Sequence, residues 1–93
     1  MQHPSIARIR ELIRSLKYVV TLHASEELED DNLSILDLEN IVLTGQITER
    51  QRDGKTQEVK CVIFGVTLDG IVAEVIGKIG PTGRLIIITV YRV

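Results

Sequence analysis

The sequence has little of what would announce a chemistry. It holds one cysteine, Cys61, so an internal disulfide framework and a cysteine-rich zinc site are both excluded. It has no tryptophan, and Tyr18, Phe64 and Tyr91 are its only aromatic side chains. A general RNA binder stacks bases on aromatic rings, and that platform is thin here. No apolar run approaches the ~20 residues that a membrane helix needs. Residues 1–20 carry five charges where a signal peptide needs an apolar stretch, so none is expected. There is no internal repeat, linker or low-complexity segment. Gly80-Pro81-Thr82-Gly83 is a turn and not a phosphate loop, because no lysine–serine pair or helix start follows it.

What is present suits a small folded unit. The chain has 93 residues, of which 44% are apolar, mostly Ile, Leu and Val. That is the size of one domain, with 1–45 mainly helical and 46–93 mainly sheet. Such a composition rules out wholesale disorder. Together with the single cysteine it points to a soluble protein of a reducing cytoplasm.

The net charge of −2 hides a pattern. Residues 1–17 hold Arg8, Arg10, Arg14 and Lys17 against Glu11, for +3. Residues 18–45 hold no base and seven acids, for −7; residues 46–93 come to +2. A weakly negative whole does not draw nucleic acid nonspecifically. A local patch built from the first and last segments still could, and the alternative is a set of solvated faces.

Ser5 can cap a helix from about Ile6, with Ile6, Ile9, Ile13 and Leu16 at helical spacing. Tyr18 to Leu22 reads as an extended link or a small edge strand. Ala24 to Asp30 fits a short helix anchored by Leu28 and stopped by Asn32 in a left-handed conformation. Ser34 and Asp37 make a capping-box-like start to a third helix, with Ile35, Leu38, Ile41 and Val42 as its stripe and Gly45 at its end. Everything after Gly45 reads as strand: Gln46 to Asp53, Glu58 to Thr67, Ile71 to Ile79 and Arg84 to Arg92. The turns fall at Asp53-Gly54, Asp69-Gly70 and residues 80–83. The expected fold is α+β, with two or three N-terminal helices packed on a four-stranded antiparallel meander. Strict alternation puts Leu85, Ile87, Thr89 and Tyr91 on one side of the last strand. It puts Arg84, Ile86, Ile88, Val90 and Arg92 on the other. On the third strand the Val72, Glu74, Ile76 and Lys78 side mixes apolar and charged residues, as a partly exposed partner face does.

Candidate chemistry is sparse. His23 can serve as a general acid or base near neutrality, or can be a helix-start histidine that caps backbone or packs on Tyr18. His3 sits at the terminus and carries no argument. His23 with Glu26 or Glu27 supplies two metal ligands on one helical turn, which is not a site, so no metal and no cofactor is expected. Cys61 lies within an apolar strand, where a thiol is inert. Arg50, Arg52, Lys60, Lys78, Arg84 and Arg92 all come from the sheet and could form a phosphate-handling surface. RNA cleavage without metal needs a base, an acid and a cation, roles open to His23, Tyr91 and an arginine.

The ordered residues resemble the domain of unknown function 4258 family of bacterial proteins. The matching pieces are Leu22-His23-Ala24, Leu33-Ser34 with Leu36-Asp37-Leu38-Glu39, and Leu43-Thr44-Gly45-Gln46-Ile47 with Glu49. Val62-Ile63-Phe64-Gly65 and Ile86-Ile87-Ile88-Thr89-Val90-Tyr91 complete the set, over residues 18 to 92. The resemblance implies a RelE/ParE or BrnT-like toxin fold. It also implies a toxin-like component of a type II toxin–antitoxin pair that acts on RNA or the ribosome, with a cognate antitoxin as partner. Where many family members carry bases after the histidine, this chain has Glu27 and Asp31, whose charge repels phosphate.

Two functional expectations follow. One is a metal-free ribonuclease with His23 and Tyr91 in catalysis and the sheet cations on phosphate. The other is a non-catalytic interaction module of the same fold, docking a partner or a second copy through Val72, Ile76 and Ile86. A small-molecule enzyme has little support, since no glycine-rich loop is present and a chain this small leaves scant room for a large pocket. No membrane partner is expected.

Overall fold

A computed structural model describes residues 4–93, so His3 lies outside the described residues. Ser5 caps α1 (Ile6–Arg14), its hydroxyl accepting the Arg8 N–H at 3.1 Å, and the helix buries Ile9, Leu12 and Ile13. The helix stops at Leu16, which adopts φ 59°. The Ser15, Leu16 and Lys17 N–H groups close back on the carbonyls of Glu11, Ile13 and Leu12. β1 (Tyr18–Val20) follows, then α2 (Leu22–Asp30), capped by the Thr21 hydroxyl and burying Ala24 and Leu28. Asn32 takes φ 56° and ends that run, as its side chain predicts. The Ser34–Asp37 capping box opens α3 (Ile35–Thr44), which buries Leu38, Ile41 and Val42. β2 (Gln46–Arg52), β3 (Val59–Val66), β4 (Val72–Ile79) and β5 (Leu85–Arg92) complete the chain.

The four-stranded antiparallel expectation is corrected on one point. The sheet has five strands in the order β1-β5-β4-β3-β2, and it is mixed. β2 to β5 pair antiparallel in sequence, but β1 adds to the outer side of β5 in parallel, Tyr18 opposite Leu85 and Val20 opposite Ile87. Three residues carry no readable period, and their partner lies at the far end of the chain, so local pattern could not reveal the pairing. The pairing explains why β5 is apolar on both sides in its middle: it is an interior strand.

A second correction concerns β5. Its register against β4 slips between the Thr89–Ile76 and Ile87–Gly77 pairs. This β-bulge leaves Ile88 unopposed and shifts the alternation by one. Leu85, Ile87 and Val90 are therefore the fully buried residues, and Tyr91 passes to the opposite face.

One face of the sheet carries the helices. Val59, Cys61, Ile63, Ala73, Val75, Leu85, Ile87 and Val90 join the buried residues of all three helices in one core. α3 sits closest. A Cβ built on Gly65 would lie 2.1 Å from the Ile41 carbonyl oxygen, and one on Gly45 would lie 2.6 Å from the same atom. Gly45 has φ −83°, so it ends the helix by leaving room and not by a left-handed turn. Arg10 donates to the Gly45 carbonyl at 2.7 Å, a cation at the C-terminus of α3. Tyr18 donates to Glu39 at 2.6 Å and ties β1 to α3. Burial, then the Glu39 carboxylate, pushes its phenol up to about 12.

The loops are pinned from the helices. Asp37 accepts the Leu68 N–H at 3.1 Å besides serving its own cap. The Ser34 N–H and then that of Leu68 hold its carboxyl below the usual range. The β2–β3 connection is longer than a two-residue hairpin: the Asp53 N–H reaches the Glu58 carbonyl, and its carboxylate accepts from Lys55 and Thr56. Asp53-Gly54 thus opens that turn without completing it. Among the described residues no helix is long and apolar enough to cross a membrane.

Candidate functional site

His23 occupies the second position of α2, with its side chain 66% exposed. Its Nε2 lies 3.2 Å from Glu27 Oε1, one helical turn on. The same Glu27 oxygen accepts the Val90 N–H at 3.1 Å. One turn further, Asp31 accepts the Arg92 N–H at 3.1 Å, and its carbonyl accepts from the Arg92 guanidinium at 2.6 Å.

These bonds have a common cause. β1 ends at Val20, so beyond Ile87 the outer edge of β5 loses its neighbour. The Thr21 N–H still reaches the Ile87 carbonyl and its hydroxyl reaches that of Ile88. From there α2 takes over. Alternate strand N–H groups are spaced about 6.6 Å apart, and residues four apart on a helix rise about 6 Å. Glu27 and Asp31 therefore match Val90 and Arg92 and stand in for a missing strand. Both acids thus have a structural task.

Tyr91 lies on the opposite sheet face, paired with Glu74, and its hydroxyl donates to that carboxylate. The hydrogen bond to Glu74, then burial, then the charges of Glu74 and Glu27 raise its phenol. At neutral pH it is a protonated donor. His23 and Tyr91 thus have different partners, Glu27 and Glu74, and both partners are carboxylates.

The sheet cations do not gather there. Arg50 faces the helices opposite Cys61 and donates twice to the Pro4 carbonyl, at 3.0 and 3.2 Å. Arg52 shares that side, opposite Val59, and contacts Gln57 at 3.3 Å. Lys60 and Lys78 are a cross-strand pair on the open face, where Lys78 bridges to Glu58. Arg92 is held by Asp31. Arg84 stands at the other end of β5, lining an open cavity of about 500 Å³ with Arg8 and Lys17. Sequence reasoning missed that grouping, because Lys17 and Arg84 meet only through the parallel β1–β5 pairing.

Cys61 is fully buried, and burial raises its thiol, which keeps it unreactive. Among the described residues no group of three or more His, Cys, Asp or Glu side chains is placed to hold a metal ion.

Val72, Ile76 and Ile86 share the face of the sheet that carries no helix. Four cross-strand rows run over it: Val66–Val72, Phe64–Glu74–Tyr91, Val62–Ile76–Thr89, and Lys60–Lys78–Ile86 with Val19 beside it. Phe64, Val72, Tyr91 and Val19 are 36–43% exposed, and the apolar side chains between them are half-buried.

Three helices on one face of a five-stranded mixed sheet define a small α+β protein with one open apolar sheet face. The family described as Domain of unknown function (DUF4258) matches residues 20–92, and the chain belongs to it. No curated protein and no solved structure gives a match.

Proposed function

We propose that this chain is a non-catalytic protein-interaction module that works through its open sheet face, with a second copy as the occupant. The observation that carries this reading is the self-complementary arrangement of that face. A two-fold axis laid across the strands over the Val62–Ile76–Thr89 row exchanges the two flanking rows. It sets Lys78 against Glu74, Lys60 against the ring of Phe64, and Ile86 against Tyr91 of the other copy. Each contact occurs twice, as an isologous interface requires. Opposite charges meet on either side of the central Ile76, and a lysine over an aromatic face adds cation–π attraction.

The test is the oligomeric state by light scattering across a concentration series. The wild type is expected to be dimeric. Ile76→Asp places a charge at the centre of the face and is expected to be monomeric, with an unchanged far-ultraviolet spectrum because Ile76 lies outside the helix-covered core. Glu74→Lys and Lys78→Glu should each weaken the dimer, and together restore it. A wild type that stays monomeric at the highest attainable concentration sinks the proposal.

A second reading, a toxin-like protein that acts on RNA, is favoured by one observation: an exposed histidine, His23, is paired with the carboxylate of Glu27, as a general acid or base can be. Against it, a transferring phosphate needs a cation, and the charged partner of His23 is the carboxylate of Glu27. Wild type and His23→Ala, each expressed from a tightly repressed promoter, are expected to leave growth and bulk RNA intact. Arrest with RNA loss in the wild type alone would reinstate the nuclease.

A further inference from the structure

We propose that the open cavity between α1 and the β4–β5 turn is a binding site for a small phosphorylated molecule. Its walls are Arg8, Glu11, Leu12, Ser15 and Lys17 from the first helix and its exit, and Thr82, Gly83 and Arg84 from the turn. Three cations thus surround one space of about 500 Å³ in a chain whose net charge is −2.

The backbone holds them in place. The Leu85 N–H donates to the Lys17 carbonyl at 3.0 Å, which fixes Lys17 beside Arg84 at the start of the parallel pairing. The Gly80 N–H donates to the Arg84 carbonyl at 2.9 Å, and Gly83 takes φ 85° to close the turn. Arg8 reaches the same space from α1. Among the described residues the side chains of Arg8, Lys17 and Arg84 have no hydrogen-bond or ion-pair partner, whereas Arg10, Arg50, Arg92 and Lys78 are each engaged by the chain itself. Three cations against one acid leave a net repulsion among like charges, and an anion with two or more negative charges relieves it. Glu11 is the one acid on the wall. The terminal carbonyls of α1, which would disfavour an anion, already accept from Ser15, Leu16 and Lys17.

The cluster suits a compact ligand better than a nucleic-acid strand. A strand needs cations along a track, and these cations converge on one cavity. No aromatic side chain lines it for a base to stack on. A neighbouring open cavity of about 500 Å³, walled by Val59, Ile79, Pro4 and Pro81, shares Arg8 and gives room for the organic part of such a ligand.

Titration of the full-length protein with pyrophosphate and with ADP, followed by calorimetry and amide chemical shifts, tests the site. Saturable binding of at least one probe is expected, with shifts centred on Arg8, Lys17, Gly83 and Arg84. Lys17→Gln and Arg84→Gln should each weaken it about tenfold or more, the loss of one charge-assisted hydrogen bond. Lys55→Gln, in the exposed β2–β3 turn and outside the walls of both cavities, should leave it unchanged. Absence of saturation with both probes overturns the proposal, as does an affinity that Lys17→Gln and Arg84→Gln together do not change. Binding only of single-stranded oligonucleotides, tightening with their length, overturns it in favour of a nucleic-acid surface.

Discussion

Gly65→Ala is expected to cost about 3 kcal/mol or more, since overpacking against rigid neighbours reaches and passes the upper part of the usual range. The new methyl carbon would lie 2.1 Å from the Ile41 carbonyl oxygen, 2.9 Å from its carbon and 3.0 Å from the Thr44 hydroxyl. Two of those atoms are helix backbone and cannot swing aside as a side-chain tip can. The only relief is to lift α3 from β3, and α3 carries Leu38, Ile41 and Val42, all fully buried. Domains have about 5–15 kcal/mol in total, so the loss is a large fraction of what holds this one. Urea unfolding should show a lower midpoint at an unchanged slope. Gly54→Ala is the control, because a Cβ there meets nothing within 4 Å. If the two variants unfold at the same urea concentration, α3 does not sit on β3 as described.

Gly65 also shows where sequence reading stops. Its neighbours Val62-Ile63-Phe64 announce a strand, but nothing local says that a helix carbonyl will press on the next residue. The signals that were legible are those whose cause is local. Ser5, Thr21 and Ser34 satisfy helix N–H groups within three residues of themselves. Asn32 stops α2 through its own backbone conformation. Strand alternation held for β3, where Val59, Cys61 and Ile63 are buried and Lys60, Val62 and Phe64 are not.

The features that were hidden are those made by partners distant in the chain. The β5 bulge moved Tyr91 across the sheet, because a slip of one residue reverses every side chain beyond it. The Lys17–Arg84 neighbourhood depends on a three-residue parallel strand. The candidate site was legible in the same proportion. Val72, Ile76 and Ile86 do share a face, since two of them alternate within one strand and the third lies opposite Lys78. Arg50 and Lys60 do not, since they sit on opposite faces of adjacent strands.

Glu27→Ala is expected to destabilise the protein by about 1–3 kcal/mol, the penalty for leaving a buried N–H unpaired. Val90 is fully buried, and Glu27 is the acceptor of its N–H. The loss should come from β5 and not from the histidine contact. His23 is largely exposed, and an exposed pair one helical turn apart contributes only about 0.3–0.5 kcal/mol. Three variants separate the roles. Glu27→Gln keeps a carbonyl acceptor and should retain most of the stability. His23→Ala should change it little. Glu27→Arg, which reverses the charge, has no side-chain acceptor and should behave like Glu27→Ala. Amide hydrogen exchange at Val90 should quicken in the alanine and arginine variants and stay slow in the glutamine variant. A glutamine variant as unstable as the alanine one would mean that the carboxylate acts through its charge. The account of α2 as a surrogate strand would then fail, and the acids of that helix would need another purpose.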